Sequence, residues 1–120
     1  MKKIKVFQLD DDKSQLKLLE AVCKRDEELE YFGYDNTKDF LKALKEEEPS
    51  VCLIDLNLQE GNGVGFIVLE AIRNNFSNDL PIFILSRRNA SKDISNAFEL
   101  GVTDYIIKPI SLKERPFLII

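Results

Sequence analysis

Asp10, Asp11 and Asp12 stand in a row directly after the apolar-rich stretch Ile4-Lys-Val-Phe-Gln-Leu9, and Asp55 closes a second apolar run, Val51-Cys-Leu-Ile54. Carboxylates that end neighbouring strands crowd negative charge at one rim of a sheet. Their repulsion raises their pKa values unless a divalent cation or a lysine compensates. Both compensators have candidates. A third apolar run, Pro81-Ile-Phe-Ile-Leu85, delivers the hydroxyl of Ser86, and a fourth, Asp104-Tyr-Ile-Ile107, delivers Lys108 and then Pro109.

A strand-end carboxylate beside bound Mg²⁺, a hydroxyl and an ammonium can accept a phosphoryl group, because in-line displacement needs the charge on the equatorial oxygens neutralised. Each residue then has one role. Asp55, expected to be the most enclosed carboxylate, is the nucleophile. Asp11 binds Mg²⁺ directly and Asp10 partly through water, since this ion keeps several waters. Asn57 is placed to add its backbone carbonyl as a further oxygen ligand. Lys108 pairs with Asp55 before reaction and with a phosphoryl oxygen afterwards, while the Ser86 hydroxyl bonds another of those oxygens.

These residues need strands to carry them to one place. Strand-like runs alternate with helical patterns: 4–9 then 14–24, with Leu16, Leu19 and Cys23 on one face; 30–34 then 37–46, with Phe40, Leu41 and Leu44. The alternation continues as 51–55 then 63–74, with Phe66, Leu69 and Ile72; 81–85 then 91–100, with Ile94, Ala97 and Phe98; and 104–107 followed by a helix from Ser111. Such βα repetition predicts an α/β fold, a five-stranded parallel sheet with helices on both faces, because parallel strands need right-handed crossovers. Ligands of such sheets bind beyond the carboxyl ends of the strands. Asp10, Asp11, Asp55, Ser86 and Lys108 all fall at that end. Gly61, Asn62 and Gly63 form a turn cluster, Gly101 suits a helix C-cap, Asp12 suits a cap or turn, and Glu46-Glu47-Glu48 reads as a solvated helix end.

Composition narrows the function classes. The 120 residues suit one domain, and a net charge of -4 argues against a general nucleic-acid or anionic-membrane surface. With no histidine, histidine acid–base chemistry, the usual zinc sites and a phosphohistidine carrier role are excluded. Cys23 and Cys52 fall on a helix face and in a buried strand, which fits small core hydrophobes in a reducing, cytoplasmic setting. The N-terminus lacks the pattern of a signal peptide, and no apolar run has membrane-spanning length.

The motifs Leu9-Asp10-Asp11-Asp12, Leu53-Ile-Asp55-Leu-Asn57-Leu58, Asn62-Gly63, Ile84-Leu-Ser86, Gly101 and Tyr105-Ile-Ile-Lys108-Pro109 together resemble the receiver domains of two-component response regulators over nearly the whole chain. The resemblance implies a flavodoxin-like doubly wound sheet in the order 2-1-3-4-5 over a single receiver domain, residues 1–120. It implies phosphorylation of Asp55, with Mg²⁺, by a histidine kinase or histidine phosphotransfer protein. It also implies a switch pair of Ser86 and Tyr105, a cis Lys108-Pro109 bond, and a downstream effector domain or protein. In that reading the chain is a regulatory phosphoacceptor that catalyses only its own phosphotransfer and slow dephosphorylation.

Three departures from the family pattern stand out. Gln59 occupies a position where the family often has proline. Arg87 follows the switch hydroxyl where alanine or glycine is usual, so a cation there, with Arg88 beside it, would modulate the acyl phosphate; the alternative is that the two arginines are a solvated pair. The last helix is short, because Pro116 interrupts it after about one turn. Its missing cover leaves an apolar patch for Phe117–Ile120 or for a second copy of the chain, and a homodimer through that face is the expected outcome. Two other functions stay open. One is a pseudo-receiver that binds partners constitutively with Arg87 closing the site. The other is a phosphohydrolase with an aspartate nucleophile, since Asp10-Asp11-Asp12-Lys13-Ser14 also resembles the D-x-D-x-[TV] signature of haloacid-dehalogenase-type phosphatases.

Overall fold

Backbone hydrogen bonding turns the alternating pattern into nine elements among the residues that the computed structural model describes, which are 3–109 apart from 59, 60, 62, 77 and 78. They run β1 (Ile4–Leu9), α1 (Lys13–Cys23), β2 (Leu29–Tyr34), α2 (Thr37–Glu46), β3 (Val51–Ile54), α3 (Val64–Asn75), β4 (Ile82–Ser86), α4 (Ser91–Glu99) and β5 (Asp104–Ile107). The strands form one parallel sheet in the order β2-β1-β3-β4-β5, as expected. The expectations for Gln59, Asn62, the last helix and the 117–120 tail, with its dimer face, lie outside the described residues.

Side chains alternate across each strand, so the two faces bury different residues. On one face Phe7, Leu9, Cys52, Ile54, Ile82, Ile84 and Tyr105 pack with Phe40 and Leu44 of α2, Val68, Leu69 and Ile72 of α3, and Ala97 of α4. On the other, Val6, Leu53, Leu85 and Ile106 meet Leu19 and Cys23 of α1. Both cysteines are free and buried, one on each face. Phe98 corrects the expected packed face of α4. It is 46% exposed, because this helix turns only Ala97 fully inward.

Three local devices shape the connections between strands and helices. Asp12 caps α1: its Oδ1 accepts from the Ser14 amide at 2.9 Å and the Ser14 hydroxyl at 2.6 Å. Gly65 lets α3 approach the loop after β3, where a Cβ would stand 2.7 Å from the Leu56 Cα. Gly101 has φ +83° just past α4, the left-handed geometry expected of a C-cap glycine.

Candidate functional site

Strand pairing continues one residue past the strands, and this sets the site. The amide of Asp10 donates to the Tyr34 carbonyl at 3.0 Å, that of Asp55 to Leu9 at 3.0 Å, and that of Lys108 to Ser86 at 2.8 Å. Residues that emerge from paired backbone at one rim have little freedom to diverge. Asp10, Asp55 and Ser86 are buried despite their polarity, so each needs partners.

Lys108 supplies two of them. Its Nζ lies 2.7 Å from Asp10 Oδ2 and 3.0 Å from Asp55 Oδ2, with its side chain 6% exposed. Pairing with Asp55 was expected, whereas the closer pairing with Asp10 was not. The remaining carboxylate oxygens are fixed by the backbone: Asp10 Oδ1 accepts from the Asp12 amide and Asp55 Oδ1 from the Asn57 amide, both at 2.9 Å. Burial raises the Asp10 pKa, with the Lys108 hydrogen bond opposing it. Burial also works against the Lys108 charge, but its hydrogen bond to Asp10 and the charge of Asp55 prevail and hold its pKa above the usual lysine value.

Asp55 is not the most enclosed carboxylate, contrary to expectation. Asp10 is 1% exposed against 6% for Asp55, because Asp10 lies beneath both the Lys108 ammonium and the turn that starts α1. Asp11, half-buried, completes a cluster in which one carboxylate oxygen from each of Asp10, Asp11 and Asp55 lies within 4.8 Å of the others. An all-oxygen set of this charge suits a hard divalent cation such as Mg²⁺.

Above this centre is an open cleft of about 430 Å³ lined by Asp11, Asp12, Lys13, Asp55, Asn57, Arg87 and Lys108. Arg87 thus reaches the cleft, as its position suggested, while remaining exposed. Ser86 is fully buried, and its Oγ accepts from the Arg88 amide at 3.1 Å. Tyr105 is also buried, 8% exposed, and its hydroxyl donates to the Arg88 carbonyl at 2.8 Å. Burial raises the Tyr105 pKa, with Ser86 hydrogen bonding opposing the shift. The Lys108-Pro109 bond is cis, as the resemblance implied.

Arg88 departs from the solvated-pair alternative. Its Nε donates to the Asn57 side-chain oxygen, and a terminal guanidinium nitrogen lies 3.6 Å from Asp93 Oδ1 on α4. Sequence reasoning missed Asp93 entirely. An Arg and an Asp five residues apart across a loop-to-helix junction give no periodic signal, and Asn57 is remote in sequence.

The sequence pattern of the response regulator receiver domain matches residues 6–115. The chain is 32% identical over 119 residues to a probable transcriptional regulator, ycf27, of Porphyridium aerugineum, covering 95% of this chain and 45% of that protein. It is 31% identical over 119 residues to the DNA-binding transcriptional regulator NtrC of Proteus hauseri, covering 99% of this chain and 24% of that protein. The chain therefore spans less than half the length of these curated relatives. Its fold is similar to a two-component response regulator from Clostridium difficile, with a TM-score of 0.86, 21% identity, and coverage of 98% of this chain and 93% of that one.

Proposed function

This chain belongs to the response regulator receiver domain family, and from that premise we propose that Asp55 is the residue phosphorylated, in a Mg²⁺-dependent reaction. Receiver domains are regulatory modules phosphorylated on aspartate in two-component signalling. The observation that carries the assignment is Lys108 Nζ held at 3.0 Å from Asp55 beside the Asp10, Asp11 and Asp55 oxygen cluster. No other carboxylate among the described residues combines a strand-end backbone, a lysine partner and two acidic neighbours while lining the open cleft.

In this reading an Asp55 carboxylate oxygen forms the new bond to phosphorus as the bond from phosphorus to the donor breaks. Mg²⁺ supplies charge neutralisation at the oxygens in flight. Asp10, Asp11, Asp55 and the Asn57 backbone carbonyl are the groups that would hold it. Lys108 passes from the carboxylate to a phosphoryl oxygen, and Ser86 turns its hydroxyl to another. The chain has no histidine, so a phosphohistidine donor comes from a partner, a histidine kinase or a phosphotransfer protein. The effector is a downstream domain or protein, with transcriptional output suggested by the named relatives. Asp12 weighs against the phosphohydrolase alternative. That signature needs its second aspartate at the reacting group, whereas Asp12 is occupied in capping α1 through Ser14.

Incubation with acetyl phosphate and Mg²⁺, followed by peptide mass spectrometry, tests the assignment. We expect one phosphate on Asp55, none without a divalent cation, and none in Asp55→Asn. Phosphate on Asp10 in that variant would assign the nucleophile elsewhere, and an inert wild type would favour a constitutive pseudo-receiver.

A further inference from the structure

α4 is the most lightly anchored helix among those described. It buries only Ala97, whereas α3 buries Gly65, Val68, Leu69 and Ile72. Its N-cap position is Ala90, which offers no side-chain cap. The first turn therefore lacks the usual acceptor for its open amides. Asp93 in that turn is instead tied to Arg88, just ahead of the helix.

Arg88 sits where four strands of contact meet. Its amide donates to Ser86 Oγ at 3.1 Å, and its carbonyl accepts from the Tyr105 hydroxyl at 2.8 Å. Its side chain joins Asn57 to Asp93. The backbone N–H of Asn57 in turn donates to Asp55 Oδ1 at 2.9 Å. A continuous polar chain thus runs from the Asp55 carboxylate through Asn57 and Arg88 to the first turn of α4.

We propose that Arg88 is a positioning residue that straps the first turn of α4 to the loop after Asp55, and that the strap loosens when Asp55 carries a phosphoryl group. The release step rests on the reading of Asp55 as phosphoacceptor. A substituent at the Asp55 carboxylate disturbs the oxygen that the Asn57 backbone N–H holds, and so shifts the residue whose side-chain oxygen accepts from Arg88. Ser86, turning towards the phosphoryl oxygens, withdraws its acceptor from the Arg88 amide. The guanidinium is drawn to the added negative charge. Its contact with Asp93, at 3.6 Å and between partly exposed groups, is the weakest of the set and yields first. The planar fork is required, because an ammonium cannot span both partners in one geometry.

Amide hydrogen exchange of residues 94–97, read by NMR with and without acetyl phosphate and Mg²⁺, tests the strap and its release. Asp93→Asn without donor should exchange on the order of tenfold faster than wild type. Phosphorylation should bring wild type close to that rate and change Asp93→Asn less than about twofold. Arg88→Lys, whose ammonium cannot span Asn57 and Asp93 together, should exchange as fast as Asp93→Asn without donor and change less than about twofold on phosphorylation, and slow exchange in this variant would overturn the strap. Equal rates in wild type and Asp93→Asn without donor would overturn the strap. Equal acceleration of both on phosphorylation would overturn the release. A parallel mass measurement separates the premise: no phosphate on Asp55 in any variant would sink the acceptor assignment together with the release, while the comparison without donor still decides the strap.

Discussion

Lys108 shows how much one side chain can decide. Set between Asp10 and Asp55, it bridges two buried carboxyl groups and offsets part of their repulsion and that of a third, Asp11, alongside. Arg87 lines the same cleft and is exposed, so its guanidinium is available to a phosphoryl group on Asp55 and to the water that would attack it. Arg87→Ala is expected to shorten the life of phospho-Asp55 several-fold, since the in-line approach of water opens; mass spectrometry after donor removal measures it, and an unchanged lifetime would leave Arg87 a solvated loop residue. The cysteines behave oppositely, as inert filling. Burial pushes the Cys52 thiol up to about 12 and the Cys23 thiol up to about 11. A folded pKa raised above the ordinary value of 9.0 means that the folded state keeps its proton when the unfolded chain loses it. Stability from Cys52 is therefore complete below about pH 9 and declines as pH rises towards 12, by about 2 kcal/mol at pH 10.5. Urea melts at pH 7 and 10.5 should show that loss in wild type and a smaller one in Cys52→Ala. The native protein should also resist thiol alkylation until denaturant is added.

The loop between β3 and α3 depends on how closely the helix approaches it. The missing Cβ at Gly65 is what allows contact with the Leu56 backbone, the residue directly after Asp55. Gly65→Ala would force a methyl to 2.7 Å from the Leu56 Cα, so either α3 or the acceptor loop must shift. A cost of about 1–3 kcal/mol is expected, seen as a lower urea midpoint at unchanged m-value. Phosphorylation of Asp55 should slow as well, because its neighbour has moved. Wild-type stability in this variant would mean that α3 slides freely, contrary to its four buried residues. α4 stands at the other extreme, with one buried residue and an uncapped first turn. Elements held this lightly are the ones that local opening recruits first.

For the molecule as a whole, a cation held by the carboxylate cluster would couple folding to metal binding. A cation that binds the assembled Asp10, Asp11 and Asp55 but not the unfolded chain stabilises the fold by mass action, by about 2.7 kcal/mol at a hundredfold excess over Kd. Mg²⁺ should therefore raise the thermal midpoint, and Asp11→Ala should remove the response. The variant itself should be no less stable than wild type without metal, since one repelling charge has gone. A midpoint shift that survives in Asp11→Ala would place the ion elsewhere. No helix among the described residues is long and apolar enough to cross a membrane.

The sequence by itself determined the sheet, its carboxyl-end rim and the residue types gathered there. Periods of two and 3.6 residues report which faces are buried, and a residue that ends a parallel strand can only emerge at one rim. That is why Asp10, Asp55, Ser86 and Lys108 could be grouped before any contact was seen. Periodicity is silent about partners. Lys108 meets Asp10 across 98 residues and Asp55 across 53, and Arg88 meets Asn57 across 31. Only strand order and register place these groups side by side, and only the depth of each pocket decides which carboxylate is more enclosed. Tertiary structure therefore chose Asp10 over Asp55 as the deeper partner of Lys108, turned Phe98 outwards, and made Arg88 a bridge to Asp93, because each depends on distances between elements that local pattern does not encode.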